Sequence, residues 1–332
     1  MSALNEFVAW LTTFVFQDKN RRLPPGLKLN IHSRSDEHSK KLAELVVQEL
    51  VEKCGPLRDH ALEGRIGYGI NYRFSWPNGK TKTLDLLIGI PNIPLLPQSE
   101  SQRVDLKPHR VARGAPGFSR VLISVELKSV LTEHKKSQPR VFDELNGSHA
   151  IVHAGDQLSI AGGLTLVNIA NQFVSPLRQH PEQDLVVSDH DQPRVASEMV
   201  NHLRNLPRRT ADNPIGFDAY STFLVDIDNL GRVALWTENP APQMGQPDHF
   251  DTFIADICRE YSKRFGDLSR IPEPEALSYE DALIQLSAKH PGLLDETGQL
   301  AVDAALEGSI ELQAILKAIE ELASPSPQRS SQ

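Results

Sequence analysis

The sequence predicts an α/β fold, with helices and strands mixed through the first half of the chain and a helical extension at its C-terminal end. Three observations carry that expectation. Residues 121–131 (VLISVELKSVL) and 83–90 (TLDLLIGI) are aliphatic, β-branched runs bounded by Pro, Gly and Ser, as buried strands are. Residues 35–55 and 139–152 instead repeat their apolar residues at helical spacing. Along the chain the order is helix, three strands, helix, strand, so local pattern and global arrangement agree.

The apolar stretch Phe7 to Phe16 follows Glu6 and precedes the charged residues 18–22, so it makes a poor leader and reads as a docking helix within residues 1–34. The next helix spans Ser35 to Gly55. Ser35 can cap it, Asp36 and Glu37 suit its positive end, Leu42, Val46, Leu50 and Cys54 form its buried stripe, and Gly55 ends it. Glu49 falls at the rim of that stripe, where pairing with Lys53 is favoured over a role as an extra metal ligand. Gly67 to Trp76 alternates with Tyr68, Ile70, Tyr72, Phe74 and Trp76 on one side, and Pro77-Asn78-Gly79-Lys80 turns it into the run carrying Asp85. Residues 91–119 hold five Pro and two Gly without periodicity, which predicts a long loop between the two charged strands.

After that second strand, Thr132 to Ser137 leads into a helix with Pro139 near its start and Val141, Leu145, Ser148 and Val152 on one face. Gly163 to Ala170 reads as a further buried strand, and Gln192 to Leu206 as a helix. Tyr220 to Asp226 and Val233 to Thr237 read as a hairpin, and Asp248 to Phe265 as a helix. We place the end of the main domain, begun at residue 35, at residue 266. Residues 267–323 carry two acidic helices, Ser278 to Lys289 and Leu300 to Leu322, suited to packing or oligomerisation, and 324–332 read as a disordered tail.

The charges inside the two apolar strands carry the chemistry. Strand alternation puts Glu126 and Lys128 on one face with Ser124, and Val121, Ile123, Val125 and Leu127 on the other. Asp85 shares a face with Thr83, Leu87 and Gly89, so pairing the strands can unite two carboxylates and an ammonium. Such a set suits a hard cation with oxygen and water ligands. The competing reading is a Glu and a Lys paired on a solvated strand face. Acid-x-Lys occurs three times, as Asp105-Leu106-Lys107, Glu126-Leu127-Lys128 and Glu133-His134-Lys135, and only the middle one lies in an apolar strand.

Asp85, a gap, then Glu126-Leu127-Lys128 resembles the PD-(D/E)xK nucleases, the restriction-endonuclease-like superfamily, over about half of the chain. Leu84 stands where that family often has Pro, and the gap between the strands is long. The resemblance implies a mixed central sheet flanked by helices, Asp85 and Glu126 as ligands of Mg2+ with Mn2+ as substitute, and Lys128 as the residue positioning the hydrolytic water. It further implies a DNA endonuclease of restriction or phage defence acting on double-stranded DNA, and a homodimer or a part of a defence complex as the assembly. Repair or recombination of ends and junctions, and a non-cleaving DNA-binding or assembly module, stay open as alternatives.

A formal charge of −8 argues against a protein that coats nucleic acid indiscriminately, yet residues 103–140 hold nine Lys or Arg against three acids. Lys135, Lys136 and Arg140 cluster at a helix entrance and are the candidate DNA-binding residues. His149 and His153 stand four apart without the intervening Glu of a zinc hydrolase, and read as a polar helix edge. No apolar run has the length to cross a bilayer, and two cysteines make a reducing cytoplasm the default.

Overall fold

The computed structural model describes residues 2–16, 23–32, 35–92, 110, 117–180 and 182–268. Helices α1 (Ala3–Thr13), α2 (Glu37–Lys53) and α3 (Gly55–Leu62) precede strands β1 (Gly67–Ser75), β2 (Thr81–Pro91) and β3 (Phe118–Val130). Helix α4 (His134–Gly155), strand β4 (Ile160–Asn168), the short pair β5 (Gln172–Phe173) and β6 (Ser188–Asp189) and helix α5 (Arg194–Leu203) follow. Strands β7 (Ala219–Ile227) and β8 (Val233–Trp236) and helix α6 (Phe250–Phe265) complete the described elements.

Six strands form one mixed sheet in the order β1-β2-β3-β4-β7-β8. The first three are antiparallel hairpin neighbours, β3, β4 and β7 run parallel, and β8 returns antiparallel at the far edge. Helix α4 makes the crossover from β3 to β4, and α5 lies in the connection from β4 to β7. Apolar side chains of α1, α2, α3 and α6 cover one face of the sheet, and those of α4 and α5 the other. Every residue of β4 is buried, as a central parallel strand sandwiched between helices must be.

The N-terminal helix docks as expected. Phe7 and Leu11 are fully buried. At its start the Ala3 N–H donates to Glu49 Oε2 at 2.6 Å, and Glu49 also meets Lys53 at 2.6 Å. Glu49 is therefore a structural acid at a positive helix end, the rim pairing that its position on the helix favours.

Four local departures from the expected pattern have physical causes. The helix expected to reach Gly55 stops at Lys53, and Gly55-Pro56 opens α3 instead, Pro being tolerated in a first helical turn. Asn71 takes a positive φ of 50°, so Tyr68 and Ile70 pack on one side of the sheet while Phe74 and Trp76 pack on the other, not all on one side. A register shift between Ile88 and Gly89 moves Val121 to the face opposite Ile123 and Val125, where alternation alone had placed all three together. Helix α4 begins at His134, which leaves Pro139 inside it rather than at its entrance.

Cys54 and Cys258 form a disulfide between the α2–α3 junction and α6, with Cα atoms 5.3 Å apart. Cysteine usage thus gives no argument for a reducing compartment. No helix among the described residues is long and apolar enough to cross a membrane. The two acidic C-terminal helices, the tail and most of the basic loop, including Arg103, Lys107 and Arg113, lie outside the described residues.

Candidate active site

Strands β2 and β3 pair from Pro91–Phe118 to Leu86–Val125. Asp85 and Glu126 are the next residues on each strand, so the two acids stand where the paired register stops. On the other flank of β2 the pairing with β1 skips from Ile70–Leu86 to Tyr72–Leu84, across the left-handed Asn71. The faces exchange at this point. Leu86 and Ile88 belong to the core under α2 and α6, whereas Leu84 packs under α4 with Phe74 and Trp76. The outer half of the β1–β2 hairpin is thereby rotated relative to the rest of the sheet.

Asp85 reaches across this divergence. Its Oδ2 accepts the Leu127 N–H at 2.8 Å, supplying a partner to a main-chain donor on β3. Glu126, only 5% exposed, has both oxygens engaged. Oε1 lies 2.7 Å from Lys128 Nζ, and Oε2 lies 3.1 Å from Lys82 Nζ and accepts the Ser148 hydroxyl at 2.8 Å. Lys128 also lies 3.4 Å from Glu144 Oε2, and Glu144 Oε1 meets Arg140 Nη1 at 3.0 Å. Asp85, Glu126 and Lys128 are thus brought together, and α4 closes the cluster through Ser148 and Glu144.

The two acids differ in electrostatics. Burial, with the charge of Glu126 beside it, pushes the Asp85 carboxyl up to about 6, and Lys128 offsets this only in part. Burial also works to raise Glu126, but Lys128 and Lys82 outweigh it and hold that carboxyl below its ordinary range. For Lys128, burial favours the neutral amine, yet Glu126 reverses the balance and keeps it an ammonium. Of these three residues, Glu126 is held ionised, Asp85 has no ion-pair partner among the described residues, and Lys128 is kept an ammonium.

Among the described residues no group of three or more His, Cys, Asp or Glu is placed to hold a metal ion. Asp85 and Glu126 fit a different demand, that of a hard ion which keeps most of its waters and takes one or two carboxylates. The second oxygen of Asp85 accepts no hydrogen bond among the described residues, which leaves it open to such a ligand role. Glu126 fits only by rearrangement of a neighbour, since both its oxygens are in use.

Lys135, Lys136 and Arg140 all lie in the first two turns of α4, with side chains 62%, 80% and 64% exposed. Each has an acid nearby, Glu198 at 3.9 Å, Glu133 at 3.3 Å and Glu144 at 3.0 Å respectively. Pairs this exposed are weak, so the cations stay available to an external anion. Arg110, from the basic loop, pairs with Glu44 on α2 at 3.3 Å.

Sequence reasoning missed Lys82 and the hydrogen bond of Ser148. Residues 64–84 hold four cations and no acid, a signal that could have flagged Lys82, whereas Ser148 reads only as a small residue on a core face. It also misplaced two histidines. His149 and His153 are interior, not a polar helix edge: His153 Nε2–H donates to the Gly216 carbonyl at 2.8 Å, Arg209 approaches its Nδ1 at 3.3 Å, and burial lowers both imidazoles' pKa. No family model matches this chain, and no curated protein or solved structure matches it either.

Proposed function

We propose that the chain is a Mg2+-dependent endonuclease with a restriction-endonuclease-like fold, hydrolysing phosphodiester bonds of double-stranded DNA in restriction or phage defence. The observation that carries this reading is the meeting of Asp85, Glu126 and Lys128 where β2 and β3 part, inside a helix, three-strand, helix, strand order. A bound Mg2+ would supply an activated water and polarisation of the phosphate. Asp85 and Glu126 would hold it. Lys128, kept protonated beside Glu126, would orient the attacking water by hydrogen bonding and offset the charge that builds on the phosphate. Ser148 fixes the carboxylate of Glu126, and Glu144 links Lys128 to Arg140 at the surface. Lys135, Lys136 and Arg140 would grip the DNA backbone, positioning it without reading bases.

One observation favours a second reading, a non-cleaving DNA-binding or assembly module on the same fold. Both oxygens of Glu126 are already satisfied within the chain, as in a purely structural ion pair. Incubation of a supercoiled plasmid with the protein separates the two. The nuclease reading expects nicked and linear products with Mg2+ or Mn2+, none with chelator, and none from Asp85→Asn. An intact plasmid that is nonetheless bound in either metal would leave the non-cleaving module.

A further inference from the structure

The proposed chemistry gives a role to Lys128, yet among the described residues a second lysine, Lys82, also reaches Glu126. Lys128 holds Glu126 Oε1 and is itself tied to Glu144. Lys82 is different. Its ammonium, on a side chain 17% exposed, meets Glu126 Oε2 at 3.1 Å and pairs with no other acid among the described residues. It sits three residues before Asp85 on the part of β2 beyond the pairing with β3, next to the exposed Thr81 and Thr83.

A carboxylate buried as deeply as Glu126 needs compensating charge, which in the ion-free protein comes from Lys128 on Oε1 and Lys82 on Oε2. A divalent ion and an ammonium on the same oxygen repel each other strongly at such distances. One of the chain's own partners must therefore leave Oε2 when an ion arrives. Lys128 is anchored by two acids and Ser148 carries no charge, so the cation free to withdraw is Lys82. We infer that Lys82 is a placeholder: it occupies Oε2 of Glu126 in the ion-free protein, sharing its compensation with Lys128, and is displaced into solvent when a divalent ion binds Asp85 and Glu126. The inference rests on the metal-dependent reading of this site and adds to it a chain-borne competitor that sets how tightly the ion is held.

The test is binding of Mn2+ alone to the full chain, by calorimetry and by the electron spin resonance signal of free Mn2+, for the parent, Lys82→Met, Lys82→Arg and Glu126→Gln. Lys82→Met should bind Mn2+ about tenfold tighter or more. Lys82→Arg should bind no tighter than the parent, because a guanidinium can grip a carboxylate with two bonds. Thermal melts provide a readout that a purely structural lysine would not move: the loss of Tm in Lys82→Met should appear in chelator and vanish in saturating Mn2+. Lys82→Gln, which keeps a hydrogen bond to Oε2, serves if the methionine variant fails to fold. Mn2+ binding that Glu126→Gln abolishes but Lys82→Met and Lys82→Gln leave unchanged or weakened would overturn the placeholder alone. No Mn2+ bound by any variant would overturn it together with the metal-dependent reading.

Discussion

Replacing Asp85 by Asn should stabilise the protein, and by an amount the site itself sets. The carboxyl is raised from its ordinary 3.8 to about 6, first by burial and then by the charge of Glu126. A difference of that size corresponds to about 3 kcal/mol between its protonated and ionised forms. Because the folded value lies above the unfolded one, this contribution is fully present below pH 3.8 and is lost as pH rises through about 6. Above pH 7 the parent thus carries a destabilising charge that Asn lacks, while the Asn amide oxygen can still accept the Leu127 N–H. In chelator at pH 8 the variant should be more stable by up to about 3 kcal/mol, or roughly 6 to 12 °C in Tm for a domain of this size. Urea melts of both proteins from pH 4 to pH 8 measure the gap. It should open between pH 4 and 7, stay flat above, and narrow at pH 8 when Mg2+ stabilises the parent. A variant less stable than the parent at pH 8, or a gap that ignores pH, would refute the account of Asp85 as an acid raised by burial and by Glu126.

Glu126→Gln should do the opposite, costing roughly 3 to 5 kcal/mol in chelator, because Lys82 and Lys128 lose the acid they share; urea melts matching the parent would mean that both lysines find other partners. Lys128→Met should leave DNA affinity within a few-fold while slowing cleavage by about a hundredfold or more, the scale for a deleted charge-stabilising group. Single-turnover cleavage at the parent's rate by a folded variant would remove Lys128 from the chemistry. Joint replacement of Lys135, Lys136 and Arg140 by Ala should weaken DNA binding regardless of sequence and reduce the log–log salt slope by about 2 to 3, roughly one unit for each phosphate no longer neutralised. An unchanged slope in anisotropy titrations would assign the cluster to solvent.

The order of elements was legible because it rests on periodicity, which a single sequence carries. The stripe Leu42, Val46, Leu50 and Cys54, the face Val141, Leu145, Ser148 and Val152, and the hairpin of β7 and β8 all lie where their spacing puts them. The triad was legible for a related reason: charges in an otherwise apolar strand must be compensated by something, and Asp85 and Glu126 follow directly on the last paired residues. What escaped were events that break periodicity. A left-handed Asn71 and one register shift in β3 each send side chains to the opposite face, and neither leaves a compositional mark beyond an Asn in a strand. His153 escaped for another reason, since its burial depends on Gly216, Arg209 and Asp218, more than fifty residues away in sequence.

The break at Asn71 links fold to chemistry. Had β1 and β2 alternated regularly, Leu84 and Leu86 would share a face, and Phe74, Trp76 and Leu84 would not lie together under α4. Asn tolerates the left-handed conformation better than most residues, and its side-chain amide donates to Asp36 Oδ2 at 2.7 Å, at the start of α2. The rotation of the hairpin that follows puts Lys82, paired with Phe74 across the hairpin, on the side of Glu126 and α4. Opposite this turn of β1 the pairing of β2 with β3 ends, and the Asp85 side chain, not a strand carbonyl, receives the Leu127 N–H. At the same level Asp85 has no ion-pair partner among the described residues, and Lys82 joins Lys128 on Glu126. The asymmetry between the two acids, which governs the opposite stabilities expected of their amide variants, lies in their surroundings: burial and the charge of Glu126 act on Asp85, whereas Lys128 and Lys82 both contact Glu126.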